Sequence, residues 1–209
     1  MELNDSVNLA NLDDNIGHVY KMTSRFDSAF NAYNQALQIR QKLNHESKIS
    51  YSLTNLGSVC IKMARYTDAL DYYFKALTIR EASGDNDETA ASLNNIGLVY
   101  REIADYSKAI EYQQKALEIY QKNNNKIQTG VTLNNLANVY SASGNLNKAL
   151  EFHMQALRIR QETSDQQSIG LSLVNIGLIY RDLSDFEKSE SFFNEALQTF
   201  VKIGNRQQE

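Results

Sequence analysis

Apolar residues recur along the chain at spacings of three and four positions, which is typical of amphipathic α-helices. Two successive runs between residues 93 and 117 show this spacing clearly: Leu93, Ile96, Val99 and Tyr100, followed by Tyr106, Ala109, Ile110, Ala116 and Leu117. Polar residues around Asp105 separate the two runs. This stretch is therefore predicted to form two helices joined by a short turn.

The same helix pair recurs every 40 residues, since a shift of the sequence against itself by 40 positions aligns the whole chain without an insertion. Three aligned columns hold only asparagine, only alanine, or only small residues: Asn15, Asn55, Asn95, Asn135 and Asn175; Ala36, Ala76, Ala116, Ala156 and Ala196; Gly17, Gly57, Gly97, Ala137 and Gly177. Small residues let packed helices approach closely, because larger side chains would overfill the contact. The pattern predicts five helix pairs, at about residues 8–42, 47–82, 87–122, 127–162 and 167–202.

Residues suited to helix ends lie at the same points of each repeat. The expected end of each second helix holds a residue compatible with left-handed backbone: Asn44, Gly84, Asn124, Ser164 and Gly204. Candidate N-caps follow these ends or separate the two helices of a pair: Asp85, Asn125, Asp165 and Asn205, with Asp105, Asn145 and Asp185.

The last residues match the beginning of a further repeat. Residues 203–209 align with a turn and the opening of a first helix, which predicts the start of a sixth repeat and a chain cut from a longer protein. The alternative is a natural end whose tail frays. Glu190 favours that alternative because it replaces an apolar residue and makes the last helix more polar.

Composition and charge reduce the number of fold classes and partner classes that fit this chain. The chain has no proline and nine glycines in 209 residues, which favours helices over turn-rich sheets. A net charge of −4 argues against binding to nucleic-acid phosphates or to an anionic membrane. No apolar run approaches the roughly 18 residues of a membrane-spanning helix, and the first residues lack the features of a signal peptide. We therefore expect a cytoplasmic protein without membrane insertion.

No pattern typical of catalysis, metal binding or cofactor binding stands out. The single cysteine, Cys60, excludes an internal disulfide and a cysteine-based zinc site. Its place in a column of tyrosines predicts a buried, unreactive thiol, and His153 falls in a packing column as well. No histidine pair has metal-ligand spacing, and no phosphate loop or nucleophilic serine motif is present. We expect no enzyme activity, no cofactor and no metal.

The order of residues within the repeat resembles the tetratricopeptide repeat (TPR), whose pattern is W-x2-L-G-x2-Y, followed by alanine, an aromatic residue, alanine and proline. The second repeat carries the matching residues Leu53, Leu56, Gly57 and Cys60, and then Ala69, Tyr73 and Ala76. Leucine replaces the tryptophan, the closing proline is absent, and the unit has 40 residues rather than about 34. These features are similar to the long repeats of kinesin light chains, spindle-orientation adaptors and bacterial TPR regulatory domains.

The resemblance implies an all-α fold. It would be a right-handed superhelical α-solenoid of about five helix-turn-helix repeats, forming a single array over residues 1–209. In this family, the first helix of each repeat lines a concave groove. Stacking is expected because a single helix pair cannot bury its apolar face alone.

The resemblance also places a set of polar first-helix residues in a peptide-binding groove: Asn15, Asn55, Asn94, Asn95, Asn134, Asn135, Asn138, Asn175, Lys62, Arg101 and Arg181. Asparagine is a poor residue for the interior of a helix, so five copies in one column need a reason. A carboxamide both donates and accepts hydrogen bonds, which suits the backbone of an extended peptide. In related proteins the matching asparagine contacts bound peptide. The alternative is that the asparagines tie adjacent first helices together or face water.

The charged residues of the predicted groove are mixed in sign. The groove would contain Lys21, Lys62, Arg101 and Arg181 opposite Asp14, Glu102 and Asp182. The two arginines could pair with carboxylates of a ligand, or each could pair with its acidic neighbour on the same helix. The groove of the fourth repeat has no lysine or arginine, so a carboxylate clamp of the chaperone-tail type is not predicted.

The sequence thus predicts a protein–protein interaction scaffold that binds an extended peptide or partner segment in its groove. The expected partner is a protein or peptide, not a nucleic acid. Two alternatives are the regulatory or sensor region of a larger bacterial signalling protein, and a spacer that self-associates through exposed repeat ends.

Overall fold

The computed structural model describes residues 3–206, and within that range the chain forms ten α-helices and no strand. The helices are α1 (Leu3–Met22), α2 (Phe26–Lys42), α3 (Glu46–Lys62), α4 (Tyr66–Ser83), α5 (Asn86–Glu102), α6 (Tyr106–Lys122), α7 (Lys126–Ala142), α8 (Leu146–Glu162), α9 (Gln166–Asp182) and α10 (Phe186–Arg206). Odd-numbered helices are the first helices of the predicted repeats, and even-numbered helices are the second ones.

The outermost helices extend beyond their predicted limits. α1 begins at Leu3, before the predicted start at residue 8. α10 continues through Gly204 to Arg206, so the predicted turn at Gly204 and the predicted N-cap at Asn205 are wrong. Glycine tolerates helical as well as left-handed backbone, so it permits a turn at this point without requiring one. Residues 207–209, the rest of the predicted sixth-repeat start, lie outside the described residues.

The other predicted turns are confirmed. Left-handed backbone, with φ between 52° and 72°, occurs at the four remaining predicted positions: Asn44, Gly84, Asn124 and Ser164. Each of the remaining predicted caps accepts a hydrogen bond from the backbone N–H three residues later: Asp85, Asp105, Asn125, Asn145, Asp165 and Asp185. Inside the repeats, Ala64 and Ala104 also adopt left-handed backbone, where the fourth repeat has Gly144. The sequence analysis did not predict these left-handed alanines.

Contacts between residues divide the chain into two compact units, one ending at Ile103 and the other beginning at Ala104. The first unit contains α1–α5 and the second contains α6–α10. Within each unit, every helix packs against the helix that follows it in the chain. A single array over the whole chain stays a prediction.

The two helices of a repeat approach closely where a glycine faces an aromatic ring. A β-carbon added to Gly57 would lie 2.8 Å from the Tyr73 ring, and one added to Gly177 would lie 2.8 Å from the Phe193 ring. Carbon atoms in ordinary contact are about 3.5–4.0 Å apart, so no larger residue fits at either position without movement. The predicted role of the column of small residues is thus confirmed at Gly57 and Gly177.

Successive repeats are joined by an arginine that the sequence analysis did not identify. It is buried at Arg40 and Arg80 and half-buried at Arg160. A guanidinium near the end of a second helix donates from Nη1 to a serine Oγ on the next first helix: Arg40 to Ser52 at 2.5 Å, Arg80 to Ser92 at 2.7 Å, and Arg160 to Ser172 at 2.6 Å. All three serines are fully buried. Hydrogen bonds from a charged donor are stronger than neutral ones, and more so away from water. These arginine–serine clamps therefore fix one repeat against the next.

Ion pairs balance the charges of the two buried guanidiniums, those of Arg40 and Arg80. Arg40 pairs with Asp14 on α1, and Arg80 pairs through Nη2 with a Glu88 carboxylate oxygen on α5 at 2.7 Å. A buried charge is strongly destabilising unless it is paired. The prediction that Asp14 contributes a charge to the groove is wrong, because its buried carboxylate neutralises Arg40 instead.

The clamp is missing between the third and fourth repeats. Tyr120 occupies the arginine position on α6, and Thr132 occupies the serine position on α7. The Thr132 side chain is fully buried, and its Oγ1 has no hydrogen-bond partner in the described part of the chain. This junction therefore lacks the arginine–serine hydrogen bond that joins the other repeats.

Removal of a clamp serine is expected to destabilise the second unit. Ser172→Ala leaves the Arg160 guanidinium without one of its acceptors, so the free energy of unfolding should fall by about 1–3 kcal/mol. Thr132→Val is the matched control at an equally buried site, and it should change the free energy of unfolding by less than about 0.5 kcal/mol or raise it, because no hydrogen bond is lost. Urea denaturation followed by circular dichroism measures both values. Equal losses in the two variants would contradict the role of the clamp.

Candidate binding site on the first helices

The candidate site is one side of the first helices, which we name the asparagine face. It consists of the asparagine column, the residue before it, and the residues three, six and seven positions after it. In α3, Leu56 and Cys60 on the other side of the helix are buried, whereas Asn55 is half-buried and Lys62 is exposed. The asparagine face therefore borders the apolar core and contacts solvent.

The predicted site residues differ in how much surface they offer to a ligand. Exposed or half-buried positions are the majority: Asn15, Asn55, Asn95, Asn134, Asn135, Asn138, Asn175, Lys62, Arg101 and Arg181. Asn94 is the exception at 8% exposure, although its equivalent in the fourth repeat, Asn134, is half-buried. Asn94 therefore offers little surface for contact with a ligand.

In the second unit, two asparagines connect neighbouring first helices. Asn175 on α9 donates from Nδ2 to the Asn134 Oδ1 on α7 at 2.9 Å. This hydrogen bond corresponds to the alternative in which asparagines tie first helices together. The bond also fixes the orientation of both carboxamides on the asparagine face.

The two predicted groove arginines pair with their acidic neighbours. Arg101 donates from Nη2 to the Glu102 Oε1 at 2.6 Å. Arg181 donates from Nε and Nη2 to the Asp182 Oδ1 at 3.0 and 2.9 Å. The alternative of local pairing therefore describes both arginines in the structure.

The first unit carries two lysines on the asparagine face. Lys21 on α1 is half-buried and donates from Nζ to the Ser58 Oγ on α3 at 3.3 Å. Lys62 is exposed one turn further along α3. Neither lysine forms an ion pair with a residue in the described range 3–206.

The interior contains a thiol and an imidazole whose pKa values are shifted by burial. Cys60 is fully buried, and burial is the main cause that raises the pKa of its thiol to about 11. The predicted burial of Cys60 is confirmed, and a thiol with this pKa stays protonated and unreactive at neutral pH. Burial, and then the charge of Arg160, lower the pKa of His153 to about 4.

The edge of the first unit contains a cavity that the sequence analysis did not predict. It has a volume of about 260 Å³ and lies between the start of α3, the end of α4 and the start of α5. Lys48, Arg80, Asp85 and Glu88 are among its lining residues. The clamp residue Arg80 thus lines this cavity, and none of the lining residues belongs to the asparagine face.

Neither a metal-binding cluster nor a membrane-spanning helix is found in the described residues. Within residues 3–206, no group of three or more histidine, cysteine, aspartate or glutamate side chains could hold a metal ion. No helix in the same range is both long enough and apolar enough to cross a membrane.

Comparison with protein families gives a match over most of the chain. A family model described as tetratricopeptide repeat matches residues 48–122 and 128–202. A second model of the same description matches residues 14–43. No curated protein sequence matches the chain.

Solved structures share the fold. The chain is similar to BtubC (BKLC) from P. vanneervenii, with a TM-score of 0.82, 22% identity, and coverage of 95% of this chain and 82% of that one. It is similar to a putative kinesin light chain from Podosopora anserina, with a TM-score of 0.79, 15% identity, and coverage of 98% and 99%. A Rap protein complexed with Competence and Sporulation Factor is also similar, with a TM-score of 0.77, 16% identity, and coverage of 88% of this chain and 52% of that one. These likenesses confirm the all-α repeat solenoid.

The buried imidazole of His153 should make stability depend on pH. Its pKa is about 4 in the folded chain and about 6.5 in the unfolded chain. Between these values the unfolded chain binds more protons, so the free energy of unfolding should fall by roughly 2–3 kcal/mol as the pH drops from about 6.5 to about 4. His153→Gln should lose this pH-dependent part of the free energy of unfolding. The fold accommodates glutamine at this position, since Gln113 is fully buried at the same place in the third repeat.

Urea denaturation at several pH values would measure the difference between wild type and His153→Gln. Carboxylates contribute equally in both proteins, so the difference isolates the imidazole. Parallel pH profiles for the two proteins would rule out this role of His153.

Proposed function

The chain belongs to the tetratricopeptide repeat family, and on that premise we propose that it is a non-catalytic scaffold that binds an extended peptide or partner segment along its asparagine face. Repeats of this family mediate protein–protein interaction. We infer that the asparagine face is the concave side of the array, as the family's geometry implies, and that the protein works in the cytoplasm.

The main support for this proposal is the hydrogen bond between Asn175 and Asn134. It uses one donor of Asn175 and one lone pair of Asn134, and a carboxamide has two N–H donors and two acceptor sites. The unused donors and acceptors belong to half-buried side chains. Because both carboxamides are already oriented, less side-chain entropy is lost when they bind a ligand. Tying first helices together and holding a peptide backbone are thus compatible roles for one column.

The structure of a similar protein in complex with its partner also supports this proposal. The Rap protein with a similar fold was solved in complex with Competence and Sporulation Factor. The alternative, a sensor region in a larger bacterial signalling protein, uses the same face for binding. It differs in requiring a signalling domain in the same gene product, which the sequence of the intact gene would reveal.

The proposal is tested by the double variant Asn95→Ala and Asn135→Ala. Peptides would first be selected with the wild-type chain from a phage-displayed library of random 12-residue sequences, and their affinities measured by fluorescence anisotropy. Loss of two hydrogen bonds to the peptide should weaken binding by about tenfold. The matched control is Asn147→Ala with Asn194→Ala, since both asparagines are exposed on second helices. Unchanged affinity in the first double variant, with folding intact, would remove the mechanism.

A specific observation favours self-association as a second candidate function. The side of α1 away from α2 exposes apolar residues at spacings of three and four: Leu9, Leu12, Ile16, Val19 and Met22. Leu12, Val19 and Met22 are 54%, 58% and 74% exposed. Where two helices pair along their length, apolar residues at this spacing form the seam between them. Exposed apolar patches also mark interaction surfaces. A second copy of the chain could cover this seam with its own α1.

Sedimentation velocity over a hundredfold range of concentration would test self-association. The wild-type chain should form a dimer at high concentration, and Leu12→Gln with Val19→Gln should remain monomeric, because the seam loses two apolar contacts. Leu197→Gln with Val201→Gln on α10 is the matched control for exposed apolar residues. A wild-type chain that stays monomeric throughout would exclude this function.

A further inference from the structure

Two lysines of the first unit lie near each other on the asparagine face. The Lys21 ammonium contacts the Ser58 Oγ on α3, and Lys62 follows Ser58 by four residues. Residues four positions apart share one side of a helix, so Lys62 extends from the same side of α3 that Lys21 contacts. The pKa of Lys21 is lowered by burial and then by the positive charge of Lys62. The two ammonium groups therefore repel each other.

The two acidic residues predicted for the groove of the first unit are paired with arginines. Asp14 on α1 pairs with the buried Arg40, and Glu102 on α5 pairs with Arg101 at 2.6 Å. The chain has 25 acidic residues against 21 lysines and arginines, so a basic composition does not explain the unbalanced pair. An anion bound between two like cations would relieve their repulsion.

We propose that Lys21 and Lys62 form a subsite for the side-chain carboxylate of an aspartate or glutamate in the bound peptide. This subsite rests on the proposed function, since it requires a peptide on the asparagine face. Asn55 precedes Ser58 by three residues on the same side of α3. A peptide whose backbone contacts the Asn55 carboxamide can therefore direct an acidic side chain towards the two ammonium groups.

The chemistry of the site favours a side-chain carboxylate over a chain-terminal one. Chain-terminal carboxylates are typically held by successive backbone N–H groups, whereas acidic side chains are recognised by clusters of cationic side chains. The subsite offers two flexible ammonium groups on helices whose backbone N–H groups are used within the helix. It therefore fits an acidic residue inside a peptide segment.

The second unit has no equivalent subsite. Ser141 and Ala142 occupy the two lysine positions in the fourth repeat. In the fifth repeat these positions hold Arg181 and Asp182, which pair with each other. The preference for an acidic residue should therefore belong to the part of the peptide that contacts the first unit.

The experiment compares peptide selection by three forms of the full chain. These are the wild type, Lys21→Gln with Lys62→Gln, and the control Lys42→Gln with Lys122→Gln, which removes two exposed lysines from second helices. Each form selects from the phage-displayed library of random 12-residue peptides. Aspartate and glutamate should be enriched at one position by the wild type and the control, and not by Lys21→Gln with Lys62→Gln.

Synthetic versions of a selected peptide complete the test. The affinity of the amidated acidic peptide should fall about tenfold in Lys21→Gln with Lys62→Gln, and stay unchanged in the control. Replacement of the acidic residue by glutamine should cause the same loss in the wild type and no further loss in the double variant. Thermal unfolding by circular dichroism confirms that each variant is folded.

The remaining outcomes count against the subsite. Selected peptides without acidic enrichment, or acidic enrichment that persists in Lys21→Gln with Lys62→Gln, would overturn it while leaving the peptide-binding function in place. So would an affinity that depends on a free C-terminal carboxylate or on a phosphorylated residue instead of the acidic side chain. If no peptide is selected by any form, the proposed function fails and the subsite fails with it.

Discussion

Stacking of one helix pair on the next is the constraint on which this chain depends, because a lone pair would leave its apolar face in water. Two contacts control the stacking. Within a repeat, the absence of a β-carbon at Gly57 or Gly177 lets an aromatic ring reach the opposite helix. Between repeats, a guanidinium reaches a buried serine on the next first helix, as Arg160 reaches Ser172. The first contact sets the distance between helices, and the second sets their alignment.

Alignment matters for the candidate site as well as for stability. Within each unit, the asparagine face is built from residues of separate helices, and these residues lie side by side only when consecutive repeats keep one register. The bond between Asn134 and Asn175 joins first helices of adjacent repeats, and the Lys21 contact with Ser58 does the same in the first unit. Within each unit, polar contacts between adjacent first helices thus help to position the asparagine face.

The sequence predicts those parts of the fold that depend on local chemistry. Caps such as Asp105 and left-handed residues such as Asn44 follow from the preferences of single residue types, and the structure confirms both. The clamps could not be predicted in the same way, because arginine is usually exposed and Tyr120 interrupts its column. Burial within the site also depends on neighbours, since Asn94 is buried although Asn134 at the same repeat position is half-buried.

The second unit has one junction, between α6 and α7, at which Tyr120 and Thr132 replace the arginine and the serine of the clamp. Between α8 and α9, separation would break the hydrogen bond from Arg160 to Ser172, whereas between α6 and α7 of the described chain no hydrogen bond to the buried Thr132 hydroxyl would be broken. In the second unit, the energy needed to separate neighbouring helix pairs thus contains a charge-assisted arginine–serine hydrogen bond at one junction and not at the other.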